Sequence, residues 1–372
     1  MSERCVLLAA GGTGGHLFPA EALAVALARR GVAVELVTDD RAMRYGGAFP
    51  ARAIHAIASA TPRGGSVLAK GLAALTLARG VLESLGLLRR VRPLCVVGFG
   101  GYPTVPPMVA AALLRVPSML HDQNAVLGKA NRFLASSVDA IASGFPTLGG
   151  VPPTLSGRVV CTGNPVRPVV IEASHVAYPD FADGRFRLAV TGGSQGAKVM
   201  SDIVPAAIAL LDPAQRGRLV IVQQARGEDE ARVREVYQQL GVDAEVAPFF
   251  ADLPARIAQA HLVIARSGAS TVSELAVIGR PSILVPFPFA LDQDQAANAQ
   301  HLAATGAARV IVQKDFTPQW LAAQLAQAMA DQPGLIQRAQ AARSAGAPDA
   351  AERLADLVAL IIERARKPET AK

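Results

Sequence analysis

Two segments of this sequence share one arrangement: a short apolar run, a loop rich in glycine, and then an amphipathic run of helical length. In the first, residues 5–10 lead into the glycine loop at 11–15; in the second, residues 188–191 lead into the loop at 192–196. A buried strand followed by a glycine loop and a helix is the unit from which parallel α/β sheets are built. We therefore predict that the chain consists of two halves of similar design.

Further short apolar strands follow each glycine segment, with helical runs between them. They are predicted at residues 34–38, 95–98 and 118–121 in the first half and at 219–223, 262–265 and 283–285 in the second. Strands that alternate with helices of ten or more residues form parallel sheets through crossover connections. The prediction is an α/β fold with two Rossmann-like domains, which a length of 372 residues accommodates.

The boundary between these domains is predicted at residues 164–167. Residues 168–185 are rich in Asp, Pro and Gly and are expected to form a loop before the second glycine strand. The first domain then spans residues 1–165 and the second spans 166–350. The remaining residues, 351–372, are expected to form a C-terminal helix that packs back on the first domain.

Charge and cysteine content narrow the functional classes. The net charge is +7, and residues 1–165 hold 16 Lys and Arg against 8 Asp and Glu, a balance of +8. A basic half can face phosphorylated substrates or an anionic membrane surface, whereas 5% aromatic residues and no clustered basic helix argue against nucleic acid.

Three cysteines without CxxC spacing are typical of a reducing compartment and predict a cytoplasmic protein. Glycines and prolines interrupt the apolar stretch 93–114, so no transmembrane helix is predicted there.

Both glycine loops have the setting of a phosphate site, because backbone N–H groups at a helix N-terminus converge on an anion. Neither loop is a dinucleotide fingerprint, since the first has Leu17 where GxGxxG needs its last glycine. Neither is a Walker A loop, because the Lys-Ser/Thr pair is missing. The alternative is that the glycines only allow close packing of helix on sheet. Two such loops, one in each half, favour binding.

Another segment, residues 266–274, follows the predicted strand at 262–265 and is rich in small and hydroxylated residues. Such residues leave the amides of a helix N-terminus open to a phosphate. Glu274 lies one to two turns into that helix, where a carboxylate can accept two hydrogen bonds from a vicinal diol such as ribose. The alternative is a charge that merely stabilises the first part of the helix.

Side-chain oxygens and amides crowd residues 292–295, beyond the strand at 283–285, and they suit sugar hydroxyls. The triplet Asp292-Gln293-Asp294 resembles the DxD metal site of another glycosyltransferase class, although carboxylates near a strand end are commonly solvated caps. The six histidines show no metal-ligand spacing. We expect sugar binding here, with no metal and no other cofactor.

Seven motifs stand in order across nearly the whole chain. They are GGTGGHLFPA at 11–20, GFGGYPTVPP at 98–107, HDQN at 121–124, GNPVR at 163–167, GGSQGA at 192–197, RSGASTVSEL at 266–275 and DQDQAANA at 292–299. Together they resemble the MurG family, the peripheral membrane N-acetylglucosaminyltransferases of bacterial peptidoglycan synthesis. Seven ordered motifs are far more specific than one glycine loop.

The resemblance implies a GT-B fold, with two Rossmann-like domains facing each other across a cleft that holds the active site. It implies that N-acetylglucosamine passes from UDP-N-acetylglucosamine to the C4 hydroxyl of the muramyl sugar of lipid I, giving lipid II and UDP with inversion. It also implies a peripheral enzyme on the cytoplasmic face of the inner membrane, working on an anionic membrane surface beside other cell-wall synthesis proteins.

The resemblance carries over to individual residues of the first domain. Thr13, Gly14 and Gly15, together with Asn124, would approach the donor sugar and diphosphate. Arg167 would contact the donor near the hinge.

In the second domain the same resemblance implies that Ser194, on the second glycine loop, contacts the donor. The start of the predicted helix would hold the diphosphate and ribose, with Glu274 on the ribose hydroxyls. The residues of that segment are Ala269, Ser270, Thr271, Val272, Ser273 and Glu274. Phe250 would meet uracil through its backbone, and Gln295 would read the N-acetylglucosamine hydroxyls.

Some positions depart from the family pattern. Asp122 stands where glutamate is usual, which puts a direct role for that carboxylate in doubt. Residues 223–226 retain only Gln224 of the usual His-Gln-Ser/Thr-Gly. Phe250 replaces a commoner aliphatic residue, which is tolerable where the backbone makes the contact.

An inverting transfer needs a base for the acceptor proton and groups that stabilise the departing diphosphate. His16 is the candidate base, because it ends the first glycine loop and an unperturbed imidazole titrates near neutrality. The alternative is a histidine that only orders the loop. Helix N-termini after 192–196 and 267–270, together with Arg167, are expected to neutralise the charge on UDP.

Membrane contact is expected from residues 63–92, where leucines recur at nearly helical spacing among basic residues. The apolar set is Val67, Leu68, Leu72, Leu75, Leu82 and Leu85, and the basic set is Lys70, Arg79, Arg89, Arg90 and Arg92. The alternative is an ordinary helix with one face toward the core.

Three other functions share the expected fold. One is a GT-B transferase acting on diacylglycerol or a polyketide, against which HDQN and GNPVR argue. Another is a UDP-N-acetylglucosamine epimerase, which needs no lipid acceptor. The third is a non-catalytic sugar-nucleotide sensor, in which His16 would be inert.

Overall fold

The computed structural model describes residues 5–11, 14–39, 49–60, 67–193, 196–290 and 294–366. The chain divides into two compact units. The first comprises residues 1–167 and 349–372, and the second comprises residues 168–348.

The first unit is built on a parallel sheet in the order β3-β2-β1-β4-β5-β6-β7. Its strands are β1 Cys5–Ala9, β2 Ala33–Thr38, β3 Ala53–Ala56, β4 Cys95–Gly98, β5 Ser118–Asp122, β6 Ala140–Ser143 and β7 Val159–Cys161. The central strands are buried on both faces, as parallel sheets covered by helices on each side require.

Helices cover both faces of this sheet. They are α1 Gly14–Arg29, α2 Val67–Val91, α3 Val105–Leu114, α4 Lys129–Leu134 and, from the far end of the chain, α14 Ala350–Arg366. Val6 and Leu8 of β1 face a core formed with α1 and α14, whereas Leu7 faces a core formed with α2, α3 and α4. This alternation follows from the two-residue repeat of a strand.

The second unit is built on a parallel sheet in the order β10-β9-β8-β11-β12-β13. Its strands are β8 Phe186–Thr191, β9 Leu219–Gln224, β10 Asp243–Ala247, β11 Leu262–Ala265, β12 Ser282–Leu284 and β13 Ala308–Val310. Its helices are α5 Pro168–Ser174, α6 Lys198–Ala209, α7 Pro213–Gly217, α8 Gly227–Gln239, α9 Leu253–Ala258, α10 Ala269–Ile278, α11 Asp294–Ala304, α12 Pro318–Ala330 and α13 Gln332–Ala345. The helices α6, α8 and α12 pack on one face, with Leu188 and Val190 of β8 in the shared core.

Two Rossmann-like parallel-sheet units confirm the predicted fold class, and every predicted strand is present. The structure adds strands that the apolar pattern did not reveal, namely β3, β6, β7, β10 and β13. Several of these lie at or next to a sheet edge, where a strand has fewer buried positions and a weaker apolar signal.

The loop predicted at residues 168–185 was wrong in its first part, because α5 occupies Pro168–Ser174. Pro168 stands at the start of this helix, where a missing N–H costs nothing. Val170 and Ala173 are buried, and the helix packs on α9 and α10. Tertiary packing therefore stabilises a helix that is too short to be stable in isolation.

Candidate functional site

The first glycine loop lies against the loop that follows β4. A Cβ placed on Gly100 would lie 3.4 Å from Cδ2 of His16, and one placed on Gly101 would lie 3.6 Å from its Cε1. Both glycines have positive φ, 86° and 78°. The structure therefore brings two predicted motifs together around the His16 ring, in a backbone conformation that glycine adopts readily.

This arrangement rests on close packing beneath it. A Cβ on Gly11 would lie 2.6 Å from Cγ of Pro103, and one on Gly98 would lie 2.6 Å from Cγ2 of Thr104. The buried Thr104 hydroxyl donates to the Gly100 carbonyl oxygen at 2.7 Å. A side chain at Gly11 would push the two loops apart, and one at Gly98 would displace Thr104 within the second of them.

Burial lowers the pKa of the His16 imidazole below its ordinary value of 6.5, while a hydrogen bond with the backbone of Gly11 acts in the opposite direction. His16 is therefore neutral near pH 7 and able to accept a proton. Among its neighbours in the first loop, Gly14 is the buried first residue of α1 and Gly15 is exposed. Thr13 lies outside the described residues.

The HDQN motif holds strand ends together. The buried His121 ring contacts the Gly163 carbonyl oxygen through Nε2 at 3.2 Å and Nε2 of Gln123 through Nδ1 at 3.3 Å. Gln123 also donates to the Phe99 carbonyl oxygen at 2.9 Å. Burial lowers the pKa of His121 to about 4, so the ring is neutral, with the proton on Nε2 and Nδ1 as acceptor.

Asp122, the departure from the family pattern, organises the loop after β5. Its buried carboxylate accepts hydrogen bonds from the backbone N–H groups of Asn124 and Gly128, at 3.1 and 2.8 Å, and from Nδ2 of Asn131 at 2.9 Å. The shorter side chain therefore has a structural role. Asn124 is half-buried at the start of this loop, with its backbone held by Asp122.

Arg167 lies at the end of the contiguous part of the first unit. Its guanidinium carbon is 4.2 Å from the centre of the Phe18 ring, a cation–π contact that fixes the side chain beside α1. Burial raises the pKa of Glu21 on the same helix, and the charge of Arg167 opposes that shift.

The second glycine loop is tightly constrained at its described positions. A Cβ on Gly192 would lie 2.2 Å from the backbone nitrogen of Ala197, so only glycine fits. Gln224 accepts hydrogen bonds through Oε1 from the Thr191 hydroxyl at 2.9 Å and from the Gly192 N–H at 3.1 Å. Gln224, which is not among the site residues predicted from the sequence, therefore shapes this loop. Ser194 lies outside the described residues.

The start of α10 lies beside this loop, because β11 pairs with β8 and Ala265 stands opposite Thr191. Gly268 is the N-cap residue and supplies no side-chain cap. The first amides of α10 are therefore not capped by a side chain at that position and resemble an anion site.

The predicted residues of α10 differ in what they can present. Ala269 and Val272 are buried, so only their backbone groups can reach a ligand. The remaining members of the segment are half-buried and sit in the first two turns; they are Ser270, Thr271, Ser273 and Glu274.

Arg266 is a site-forming residue to which the sequence assigned no role. It is buried, and its guanidinium donates to the carbonyl oxygens of Val285 and Pro286, at 3.0 and 3.2 Å, and to Oε1 of Gln313 at 2.5 Å. Burial, assisted by the charge of Arg226, lowers its pKa to about 10, so it stays charged near neutrality. It fixes the segment after β12 against the start of α10.

The segment after β12 also forms a hydrogen bond with Gln295 of α11. The Gln295 Oε1 accepts a hydrogen bond from the Phe287 N–H at 3.0 Å, and its backbone carbonyl accepts one from the Ser267 hydroxyl at 2.8 Å. This leaves the side-chain NH₂ group as the part that can reach a sugar hydroxyl. Asp292 and Gln293 lie outside the described residues. Within the described residues there is no group of three or more His, Cys, Asp or Glu that could hold a metal ion.

Phe250 follows the carboxyl end of β10, on the same side of the sheet as the second glycine loop. Its side chain is buried, with the Arg256 guanidinium carbon 4.5 Å from the ring centre. A buried ring leaves the backbone as the part available to a ligand.

Comparisons with known proteins cover nearly the whole chain. Residues 6–143 match the family model of the glycosyltransferase family 28 N-terminal domain, and residues 187–354 match that of its C-terminal domain. A protein of Rhodopseudomonas palustris is 57% identical over 354 residues, 95% of this chain and 97% of that protein. One of Methylobacterium nodulans is 57% identical over 373 residues, 100% of this chain and 99% of that protein. Both carry the name UDP-N-acetylglucosamine--N-acetylmuramyl-(pentapeptide) pyrophosphoryl-undecaprenol N-acetylglucosamine transferase.

Solved structures are similar across both units. The crystal structure of MurG from Acinetobacter baumannii has a TM-score of 0.78 at 28% identity and covers 96% of this chain and 99% of that chain. The UDP-GlcNAc 2-epimerase of Neisseria meningitidis, bound to UDP-GlcNAc, has a TM-score of 0.66 at 13% identity, covering 95% of this chain and 99% of that chain. At that identity the second likeness shows the fold alone.

Proposed function

The chain belongs to glycosyltransferase family 28, and from that membership we propose how its residues carry out the transfer of N-acetylglucosamine. The enzyme moves this sugar from UDP-N-acetylglucosamine to the C4 hydroxyl of the muramyl sugar of lipid I. The products are lipid II and UDP, with inversion at the anomeric carbon. The relatives at 57% identity, which bear the name of this activity over almost their full length, support the assignment.

The proposed donor site depends on one observation: the start of α10, where the N-cap residue Gly268 supplies no side-chain cap, lies beside the glycine loop of the neighbouring strand β8. Two sets of backbone N–H groups then serve one diphosphate, and the positive ends of two helices favour its charge. This charge stabilisation is what the departing UDP needs in the transition state. It requires no side-chain cation from this unit.

The positions of the other predicted residues of the second unit assign the remaining contacts to the donor. Ser270, Thr271 and Ser273 add hydroxyl groups beside the diphosphate, and Glu274 accepts hydrogen bonds from the ribose diol. The backbone of Phe250 meets uracil. The NH₂ group of Gln295, fixed by its Oε1 contact with Phe287, reads a hydroxyl of N-acetylglucosamine.

The first unit supplies its own contacts to the donor. Gly14, Gly15 and Asn124, with Thr13, approach the sugar and diphosphate. The guanidinium of Arg167, stacked on Phe18, adds a positive charge for the diphosphate. Ser194 of the second unit belongs to the same proposal.

His16 takes the proton of the acceptor hydroxyl. Burial lowers its pKa, so at neutral pH the imidazole is uncharged and one ring nitrogen can accept a proton, as a general base must. The Gly100–Gly101 backbone against which it packs holds the ring in one place. No step of the transfer needs oxidation or reduction, so we expect no cofactor.

The exposed face of α2 is the surface that meets the membrane. Leu72, Leu75 and Leu82 are 58, 69 and 70% exposed, and the basic residues Lys70, Arg79, Arg89, Arg90 and Arg92 are exposed as well. Leu85 instead packs on the core, and the side chains of Val67 and Leu68 lie outside the described residues. Leu113 of α3 and Phe133 of α4, which the sequence pattern did not reveal, are also exposed. An apolar strip with basic residues suits an anionic bilayer surface.

By length and composition, Lys70–Val91 of α2 is also apolar enough to cross a membrane. We propose surface binding instead, because the opposite face of this helix is part of the fold. Leu87 and Leu88 are buried in the core of the first unit, and Gly80 lies under the Ala58 carbonyl. Insertion across a bilayer would expose that core. We propose that the enzyme works on the cytoplasmic face of the inner membrane, beside other cell-wall synthesis proteins.

Incubation with labelled UDP-N-acetylglucosamine and a lipid I analogue tests the function. We expect a disaccharide lipid and UDP. Release of free ManNAc without the disaccharide would show an epimerase. Labelled sugar on diacylglycerol or on a polyketide, in place of lipid I, would show another GT-B transferase. Donor binding with no product would leave a sugar-nucleotide sensor.

A further inference from the structure

A cleft of about 510 Å³ opens in the second unit at the amino-terminal ends of its strands, opposite the second glycine loop. Leu262 and Ala308, the first residues of β11 and β13, lie in its wall. The glycine loop and the start of α10 instead follow the carboxyl ends of β8 and β11. Because these are opposite ends of the strands, the cleft is separate from the proposed donor site. The cleft volume falls in the range of small-molecule sites, roughly 300 to 1,000 Å³.

Two arginines line this cleft. Arg309 donates only a long hydrogen bond, 3.5 Å, to Oε1 of Gln327, and Arg338 donates one of 3.3 Å to the Ser282 carbonyl oxygen. Within the part of the chain that the structure describes, neither guanidinium forms an ion pair with a carboxylate. Burial and the charge of Arg309 lower the pKa of Arg338, while Tyr178 and Asp331 oppose the shift. Two like charges at one cleft are stabilised by an anion between them.

The one carboxylate in the wall has another task. Asp331 accepts a hydrogen bond from the Gly334 N–H at 2.9 Å and thereby caps α13. Two guanidinium groups and one carboxylate leave the wall with a net positive charge. A dianionic phosphate, which accepts bidentate hydrogen bonds from arginine, complements this arrangement.

The rest of the wall suits a small polyol. Gln300, Gln324 and Gln327 provide amide donors and acceptors, and Val310 and Leu335 provide apolar surface. Amide groups hydrogen-bond sugar hydroxyls, and apolar side chains pack against the carbon face of a sugar ring.

We propose that this cleft, here called the Arg309–Arg338 cleft, is an accessory site for a sugar phosphate. The phosphate monoester lies between the two guanidinium groups, and the sugar lies along the glutamines. Helix α11 begins with Asp294 and Gln295 near the proposed donor site and contributes Gln300 and Ala303 to the cleft wall. Gln295 and Ala303 are eight residues apart, about 12 Å along the helix axis, so the two sites lie toward opposite ends of α11.

Isothermal titration calorimetry of the full chain tests this site, with glucose 6-phosphate as the probe and UDP present in excess. We expect saturable binding in wild type and a loss of about tenfold or more in affinity in Arg309→Gln and in Arg338→Gln, because each removes charged hydrogen bonds. The matched control is Arg218→Gln, which removes an arginine of the same unit that donates to the single carbonyl of Gly184. This control should bind as wild type does.

Several results would overturn the proposal. Binding that is seen in a parallel titration without UDP but is lost when UDP is present in excess would place the probe at the donor site. Equal affinity for glucose or for inorganic phosphate would remove the sugar phosphate as the ligand class. Unchanged binding in the exposed variant Arg309→Gln, which carries little folding risk, would remove the cleft itself. No assay here uses sugar transfer, so the outcome is independent of the proposed reaction.

Discussion

His121 donates a hydrogen bond through Nε2 to the backbone carbonyl of Gly163, 42 residues later in the chain, at 3.2 Å. The bond joins the end of β5 to the segment after β7, across the intervening strand β6. It requires a neutral ring, because Nδ1 accepts from Gln123 at the same time. Two of the family motifs, HDQN and GNPVR, are thus joined by one imidazole.

The first prediction is that the first unit loses stability as the pH falls from about 6.5 toward 4. The folded state holds the pKa of His121 at about 4, below its ordinary value of 6.5, so the unfolded chain binds a proton that the folded chain excludes. The shift corresponds to about 3 kcal/mol at most, present above pH 6.5 and lost on acidification. Urea unfolding of wild type and His121→Gln at several pH values measures it. Equal pH slopes for the two proteins would contradict the assignment.

The second prediction concerns His16. His16→Ala should lower turnover at saturating substrates by roughly tenfold or more, the lower part of what a general base contributes. Because the pKa of His16 lies below 6.5, the acid limb of the wild-type kcat/KM profile should fall below that pH and disappear in the variant. His175→Ala, which removes an exposed histidine, is the control. Near-normal turnover in His16→Ala would remove it from the role.

The third prediction concerns the ribose contact. Glu274→Gln should raise the KM for UDP-N-acetylglucosamine by about tenfold, because an uncharged amide accepts weaker hydrogen bonds from the diol. The acceptor KM should change little. Glu228→Gln, at the start of α8 in the same unit, is the matched control and should leave the donor KM unchanged. Equal donor KM values in the two variants would place the ribose elsewhere.

The fourth prediction concerns the exposed face of α2. The triple variant Leu72→Ser, Leu75→Ser, Leu82→Ser should bind anionic vesicles at least about tenfold more weakly than wild type, because each leucine contributes apolar burial in the interface. Binding of wild type should also fall at high salt. Leu210→Ser, an exposed leucine of the second unit, is the control. Equal sedimentation of wild type with neutral and anionic vesicles at low salt would argue against this surface.

The fifth prediction concerns Arg280, which is fully buried. Its guanidinium donates to carbonyl oxygens at the ends of α9 and α10 and to those of Val176 and Ala177, with distances from 2.5 to 3.1 Å. Arg280→Met removes these hydrogen bonds, and of these carbonyl oxygens Arg343 still donates to those of Ile278 and Val176, at 3.4 and 3.5 Å. The substitution should therefore lower the free energy of unfolding of the second unit by about 3 kcal/mol or more. Arg218→Met, which removes one exposed hydrogen bond, should cost under about 1 kcal/mol. Chemical denaturation compares the two, and equal losses would refute the role of Arg280.

Local patterns were enough to predict the fold class and most of the strands in the middle of each sheet. A strand buried on both faces is a continuous apolar run, and a glycine loop before a helix is visible in a few consecutive residues. Edge strands such as β3 and β13 lack that run, and α5 is too short to show a period. These elements depend on contacts with partners far away in the chain.

The candidate site likewise has parts that the sequence reveals and parts that only the folded structure reveals. Its motifs, from the first glycine loop to Gln295, could be found in the sequence, because each is a contiguous string of residues. The tasks of Asp122, Gln224 and Arg266 could not, because each is defined by hydrogen bonds to groups that only folding brings within about 3 Å.

The sequence by itself therefore determined the two parallel-sheet units, their glycine loops and the family. Tertiary structure alone decided which motif side chains hold the fold together, and which face of α2 meets solvent. It also set the ion pair of Arg30 with Glu352, 322 residues apart, which fastens α14 to α1. The physical reason is that local propensity depends on neighbours in the chain, whereas burial and hydrogen bonding depend on neighbours in space.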